Sequence, residues 1–209
     1  MTNLVAIDTS TEACTVGLLF QEKIFSKTYV KANHHATVIL PMLDALLQEA
    51  GCKLSAMQAI AVGNGPGSFT GLRIGVSVAQ GLAFGISVPI IPVSSLQILA
   101  QTAYRQQGIR KVIVTLDARM HEIYVGRYEC VDDVMQPTVP DALLLPAALQ
   151  QDTPMVGPGL PALGYAPDTL LPDAIDLLTL AEKLYQNRQW IDPSQVQINY
   201  LRNEVVHQK

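Results

Sequence analysis

The chain has 209 residues, of which 49% are hydrophobic and 15% are charged, and this composition excludes an intrinsically disordered protein. Its 14 Lys and Arg residues against 18 Asp and Glu residues give a net charge of -4, which excludes a chain-wide basic field that would attract nucleic acid. The cysteines Cys14, Cys52 and Cys130 form no CxxC pair. We therefore expect neither a disulfide framework nor a zinc knuckle, but a reduced, cytoplasmic protein.

The sequence contains no segment typical of membrane targeting. The first ten residues, MTNLVAIDTS, lack both a basic stretch and a long apolar stretch, so we expect no signal peptide. The apolar window at 81–93 contains Gly85, Pro89 and Pro92 and is too short to span a bilayer. We expect no membrane association.

The first fifty residues predict three strands and a helix. Short apolar stretches at 4–7, 15–20 and 24–30 alternate with polar, turn-like segments and predict an antiparallel meander. Apolar residues then recur with a helical period from His35 to Ala50, and Gly51 ends the pattern.

A glycine-rich motif connects the next strand and helix. The apolar run at 59–62 predicts a buried strand, which GNGPGSFTG at 63–71 follows, and the residues from 69 or 70 to about 84 have a helical period. Gly71, Gly75, Ala79 and Ala83 are spaced by four residues and predict a flat stripe on that helix. Because each glycine weakens a helix by about 1 kcal/mol relative to alanine, the stripe indicates close packing.

The second part of the chain predicts a similar alternation of elements. We expect helices at 94–106, 140–150 and 175–188, strands at 112–116 and 122–129, a strand followed by a glycine turn in MVGPGLPALG, and an extended polar tail in DPSQVQINYLRN. Alternating strands and helices indicate an α/β protein. The segment IDTSTEACTVG at 7–17 resembles LDARMHEIYVG at 116–126, which favours two related halves joined near 92–96.

The glycine motif lacks the residues of two nucleotide-binding fingerprints. A Walker loop requires a lysine that the motif does not contain, and a dinucleotide fingerprint requires a third glycine where Ser68 stands. The amides at the helix start could still bind an anion. The alternative is a tight turn between strand and helix without a ligand.

A second candidate for phosphate or metal binding is the turn formed by Asp8, Thr9, Ser10 and Thr11. An aspartate at a strand end, followed by hydroxyl residues, can hold a metal ion through water and surround a phosphate, although the same residues are common in ordinary turns. In the counterpart turn, DARM, Arg119 would crowd a phosphate unless it contacted the anion itself. The four histidines show no metal-ligand spacing and are assigned surface or capping roles.

Several of these segments together resemble the bacterial TsaB family, also called YeaZ. The resemblance is carried by AIDTSTEACTVGL, HHATVILPMLDALLQEAG, GNGPGSFTGLRIGVSVAQGLAFG, PVSSLQ, LDARMHEIYVGRY and the tail YLR. It implies an ASKHA fold, in which two duplicated actin-like subdomains pack together. In this chain, we expect the subdomains at 1–93 and 94–209.

The resemblance also implies a non-catalytic role. The paralogous TsaD family transfers a threonylcarbamoyl group to adenosine 37 of tRNAs that read codons starting with adenine, and it carries two metal-binding histidines four residues apart. Here Ser95 and Leu99 stand at those positions, and neither can replace an imidazole as a metal ligand. We therefore expect no catalytic residue and no metal site in this chain. The alternative is a stand-alone ATPase or small-molecule kinase of the same fold.

As a TsaB-like protein, the chain is expected to bind TsaD and the ATPase TsaE, to form a homodimer when alone, and to meet tRNA only through the complex. We expect no cofactor bound tightly by the isolated chain, with ATP or ADP possible only in the complex. The expected interface is a four-helix contact, which Gly75→Leu would overpack. The alternative is that the small-residue stripe faces the chain's own sheet. Its residues are Leu43, Leu46, Leu47, Gly71, Leu72, Gly75, Ala79 and Ala83.

Overall fold

The computed structural model describes residues 2–31 and 34–202 as an α/β fold, with two β-sheets and four α-helices in that part of the chain. The strands are β1 (Leu4–Asp8), β2 (Ala13–Phe20), β3 (Lys23–Val30), β4 (Ala59–Gly65), β5 (Ile90–Ser94), β6 (Lys111–Arg119), β7 (Glu122–Val131), β8 (Val134–Leu144) and β9 (Met155–Val156). The helices are α1 (His35–Ala50), α2 (Phe69–Ile86), α3 (Ser95–Gln107) and α4 (Ala174–Gln186).

The two sheets share one arrangement of strands. The first has the order β3-β2-β1-β4-β5, in which β1 to β3 form the predicted antiparallel meander and β4 and β5 continue in parallel. The second has the order β8-β7-β6-β9, again a meander followed by a parallel strand. The two segments that resemble each other in sequence therefore occupy equivalent hairpins. An origin by duplication, and the boundary between 93 and 94, remain predictions.

The helices form layers on the sheets because the strand residues alternate between two faces. On one face of the first sheet, Val5 and Ile7 pack in a cluster with α1 and α2, and on the other face Leu4 and Ala6 pack against α4. Helix α3 packs on the second sheet and against α4. Helices α3 and α4 thus lie between the sheets, and α4 joins the later part of the chain to the first sheet.

Three elements differ from the sequence predictions, and one of them is β8, which was not expected. The helix predicted at 140–150 is wrong, because β8 extends to Leu144 by pairing with β7 and only a short 3-10 turn follows at Pro146–Ala148. Strand β5 was not predicted, and it contains Pro92, a residue that is unusual in a central strand. It lies at the edge of its sheet, where a missing N–H is tolerated.

Candidate functional site

The β1–β2 turn and the glycine motif pack directly on each other. Ser68 donates its backbone N–H to the carbonyl of Ser10 at 2.7 Å. A side chain at Gly67 would collide with Ser10, and side chains at Gly71 and Gly75 would collide with Thr9. These glycines are therefore required by the close approach of the turn to the start of α2.

This packing occupies several of the groups that could contact a phosphate. Besides the Ser68 amide, the amide of Gly71 donates to the Ser68 hydroxyl at 3.3 Å, and the Thr9 hydroxyl donates to the carbonyl of Gly71. Asp8, Thr9 and Ser10 are all buried. The residues at this turn do not fit a phosphate group, and the geometry matches the alternative of a tight strand-to-helix turn.

Asp8 is the most unusual ionisable group in the turn. Its Oδ1 accepts hydrogen bonds from the N–H and the hydroxyl of Ser10, at 3.1 and 2.8 Å. Its Oδ2 is buried against Gly63 and has no partner among the described residues. Desolvation raises the pKa of Asp8 from 3.8 to about 6, although the bonds from Ser10 oppose this shift.

The counterpart hairpin between β6 and β7 is more open. Arg119, Met120 and His121 all have positive φ, and the Arg119 side chain is 86% exposed and pairs with Asp117 at 3.1 Å. It therefore points outward and does not crowd the turn. The hairpin and the segment containing Pro158 line a cavity of about 430 Å³.

The second glycine turn, which follows β9, also uses its amides internally. Gly157 donates to the carboxylate of Asp168 at 2.7 Å, and Gly159 donates to the carbonyl of Thr115 at 3.0 Å. The carboxylate of Asp168 thus lies where an anionic ligand would meet the Gly157 amide. In both glycine turns, backbone amides donate to acceptors of the chain itself.

The positions that correspond to the metal-binding histidines of the TsaD family are used for packing. The hydroxyl of Ser95 accepts the backbone N–H of Gly65 at 3.2 Å, and Leu99 is fully buried in the core of the second sheet. Within residues 2–31 and 34–202, no group of three or more His, Cys, Asp or Glu residues could hold a metal ion.

The histidines only partly match their predicted roles. His35 is buried, and its Nε2 lies 3.0 Å from the carbonyl of Thr11, so the surface or capping role assigned to it was wrong. The ring instead links the start of α1 to the β1–β2 turn. His121 is exposed in the hairpin, and His207 lies outside the described residues.

Most of the predicted interface residues face the chain's own core. The buried members are Leu43, Leu46, Gly71, Leu72, Gly75, Ala79 and Ala83. Leu47 is half-buried and packs against the same cluster. The flat stripe allows α2 to approach its own sheet and Thr9, which matches the alternative in which the stripe faces the chain's own sheet. A four-helix contact with a partner remains a prediction.

The opposite face of α2 is exposed and carries large apolar side chains beside the polar Arg73 and Ser77. Phe69 and Phe84 are 55% and 56% exposed, and Leu40 on α1 is 50% exposed. Side chains added at Gly81 or Gly85 would meet nothing within 4 Å. We call the surface formed by Phe69, Ser77, Gly81, Phe84 and Gly85 the outer face of α2.

The high hydropathy of α2 arises because apolar residues lie on both its buried and its exposed face. Among the described helices, α2 alone is long and apolar enough to cross a membrane by length and composition, with 33% of its residues buried. A surface helix normally has one apolar stripe. The apolar residues of α2 beyond a single stripe are the sequence signal from which the outer face could have been found.

Comparisons with known proteins place the chain in a class of proteins that modify tRNA or assist in its modification. Residues 23–167 match the family model described as TsaD: tRNA N6-adenosine threonylcarbamoyltransferase. Two curated relatives are named tRNA threonylcarbamoyladenosine biosynthesis protein TsaB. The Haemophilus influenzae protein is 35% identical over 99% of this chain and 96% of its own length, and the Escherichia coli protein is 34% identical over 99% and 97%.

The fold comparison agrees with the sequence comparisons. The structure of YeaZ from Pseudomonas aeruginosa is 41% identical, with a TM-score of 0.92 over 96% of this chain and 100% of that chain. The chain therefore belongs to the TsaB/YeaZ family, as its sequence motifs predicted. Membership implies an actin-like fold of the ASKHA type.

Proposed function

We propose that this chain is a non-catalytic, cytoplasmic subunit for the formation of N6-threonylcarbamoyladenosine at position 37 of tRNAs that read codons starting with adenine. In this role it binds and supports a catalytic TsaD subunit together with TsaE, and it meets tRNA only through that assembly. The names of its full-length relatives support the pathway. The observation that carries the accessory role is the closed contact between the β1–β2 turn and the glycine motif, because it engages the Thr9 hydroxyl and the Ser68 amide in bonds within the chain.

The packing of Ser95 and Leu99 also supports a non-catalytic role. A metal site at this point would require two donor side chains on one face of α3. The Ser95 hydroxyl is already bonded to the Gly65 amide, and the Leu99 side chain fills the core. Any ATP or ADP is therefore assigned to the assembled complex, at surfaces to which the partners contribute.

The outer face of α2 is the surface that we assign to the partner. Its exposed aromatic residues supply apolar area, and aromatic side chains are enriched at the centres of protein interfaces. Gly81 and Gly85 lie one turn apart and have open space beside them, which would let a partner helix approach closely. In the absence of TsaD, the same face would pair with a second copy of the chain.

Copurification with TsaD tests this surface. We expect Phe84→Asp to weaken TsaD binding by more than about tenfold, because a carboxylate would be desolvated in an apolar interface. Leu145→Asp is the matched control, since Leu145 is 60% exposed in a segment away from α2. Equal binding by the two variants, with both folded by circular dichroism, would refute the assignment.

A further inference from the structure

The carboxyl-terminal segment at 191–202 follows the outside of the first sheet. At its start, Ile191 and Ile90 exchange two backbone hydrogen bonds at the edge of β5, at 2.9 and 3.0 Å. Gln80 of α2 then donates to the carbonyl of Pro193 at 2.9 Å. The extended, packed tail that the sequence predicts is confirmed from Val196 onward, whereas a short 3-10 helix at Pro193–Gln195 was not expected.

The middle of the segment lies on the glycine motif. Asn199 donates its N–H to the carbonyl of Asn64 at 2.8 Å, and the Asn64 side chain donates to the carbonyl of Gln197 at 3.2 Å. Gly65 has a φ of 117°, and a Cβ at this position would lie 2.9 Å from the carbonyl oxygen of Asn199. The segment therefore fits closely over the end of β4.

Tyr200 anchors the segment to the first turns of α2. Its hydroxyl accepts a hydrogen bond from Nε of Arg73 at 3.3 Å, and its ring centroid lies 5.8 Å from that of Phe69. The Arg73 guanidinium in turn lies 3.7 Å from the centroid of the Phe69 ring. Tyr200 thus contacts a residue of the outer face.

Arg202 anchors the segment to the second sheet. Its guanidinium donates to the carbonyl of Ala118 at 3.2 Å and pairs with the carboxylate of Glu122 at 2.5 Å, and it also contacts the sulfur of Met120. Both charged side chains are mostly buried, so water screens this pair less than an exposed pair. These contacts attach residues 191–202 to the β6–β7 hairpin.

We infer that residues 191–202 form a strap that couples the outer face of α2 to the β6–β7 hairpin. Two residues of extended chain span at most about 7 Å, so the Tyr200 and Arg202 anchors cannot move independently over larger distances. A protein that docks on the outer face meets Phe69 and shifts the Tyr200 anchor, and the strap transmits this shift to the hairpin. The docking partner rests on the proposed function, whereas the coupling is a property of the isolated chain.

Amide hydrogen exchange of the full chain without partners tests the strap. We compare Tyr200→Ala and Arg202→Ala with Arg188→Ala, a control that removes an equal charge from an exposed position. Exchange in the hairpin at 117–124 is expected to accelerate about tenfold in both strap variants and to stay unchanged in the control. Acceleration in Tyr200→Ala is the critical result, since the contacts described for Tyr200 are with α2.

Exchange in β1 serves as the internal reference for global opening. Unchanged hydrogen exchange of the hairpin in Tyr200→Ala would overturn the inference. Equal acceleration of exchange in β1 and in the hairpin would also overturn it, because the segment would then only stabilise the whole fold. Because TsaD is absent from this experiment, its outcome is independent of whether the chain acts in tRNA modification.

Discussion

The hydroxyl of Thr9 donates a hydrogen bond of 2.7 Å to the backbone carbonyl of Gly71. This bond joins the two turns that resemble phosphate-binding sites, and the missing side chain at Gly75 makes room for the Thr9 hydroxyl. The glycines therefore serve contact between two parts of the same chain. This relationship leads to predictions about nucleotide binding, stability and partner recognition.

The closed turns predict that the isolated chain binds ATP weakly or not at all. In calorimetric titrations with ATP and Mg²⁺, we expect no saturable heat below about 1 mM nucleotide, since the amides of Ser68, Gly71 and Gly157 already have acceptors within the chain. A turnover assay should likewise show no hydrolysis without partners. Saturable binding in the micromolar range together with hydrolysis would favour the alternative of a stand-alone ATPase or small-molecule kinase.

We expect leucine substitutions on the two faces of α2 to have opposite effects on stability. Gly75→Leu should lower the free energy of unfolding by about 1 to 3 kcal/mol, because its side chain would overpack against Thr9. Gly81→Leu should raise it by up to about 1 kcal/mol, because leucine favours helix and meets no neighbour. Urea denaturation measures both changes. A similar loss of stability in both variants would contradict the assignment of the two faces.

The buried carboxyl of Asp8 predicts a pH dependence of stability. Its folded pKa of about 6 lies above its unfolded value, so the native state binds the proton more tightly between about pH 4 and 6. Stability should therefore fall as the pH rises through this window, by about 3 kcal/mol from this group. Asp8→Asn should flatten the change in unfolding free energy between pH 4.5 and 7.5. The same slope in both proteins would show that Asp8 does not titrate in this way.

The ion pair between α3 and α4 predicts that removing the charge of Arg105 strongly lowers stability. Arg105 donates two hydrogen bonds to the fully buried carboxylate of Asp176, at 2.9 and 2.8 Å. Arg105→Ala should lower the free energy of unfolding by about 3 kcal/mol, because Asp176 would lose its charge partner. The double variant Arg105→Met with Asp176→Leu should recover most of the loss. Arg188→Ala, measured beside them by denaturation, should be nearly neutral.

Local patterns predicted much of the fold. Helix α1 has the predicted bounds, because its apolar period is regular and Gly51, with a φ of 65°, supplies a left-handed end. The helix predicted at 140–150 is wrong, because pairing of β8 with β7 overrides the local helical pattern. Strand β5 was missed because Pro92 is acceptable only at an edge, and sheet order cannot be read from a single segment.

The candidate site was harder to predict than the fold. Gly71, Gly75, Ala79 and Ala83 are spaced by four, and so are Ser77, Gly81 and Gly85, so the sequence offers two stripes on one helix. Which stripe is buried depends on where the β1–β2 turn lies in space. The buried position of His35 and the strap contacts of Arg202 likewise depend on tertiary packing.

Reconstitution of threonylcarbamoyl transfer is the decisive test of the accessory role. TsaD, TsaE and a tRNA that reads codons starting with adenine would be assayed without this chain, with the wild type, and with Gly81→Leu. We expect modification to depend on the wild-type chain and to fall by more than about tenfold with Gly81→Leu, although that variant is at least as stable. Equal modification in the absence of the chain would refute the accessory role.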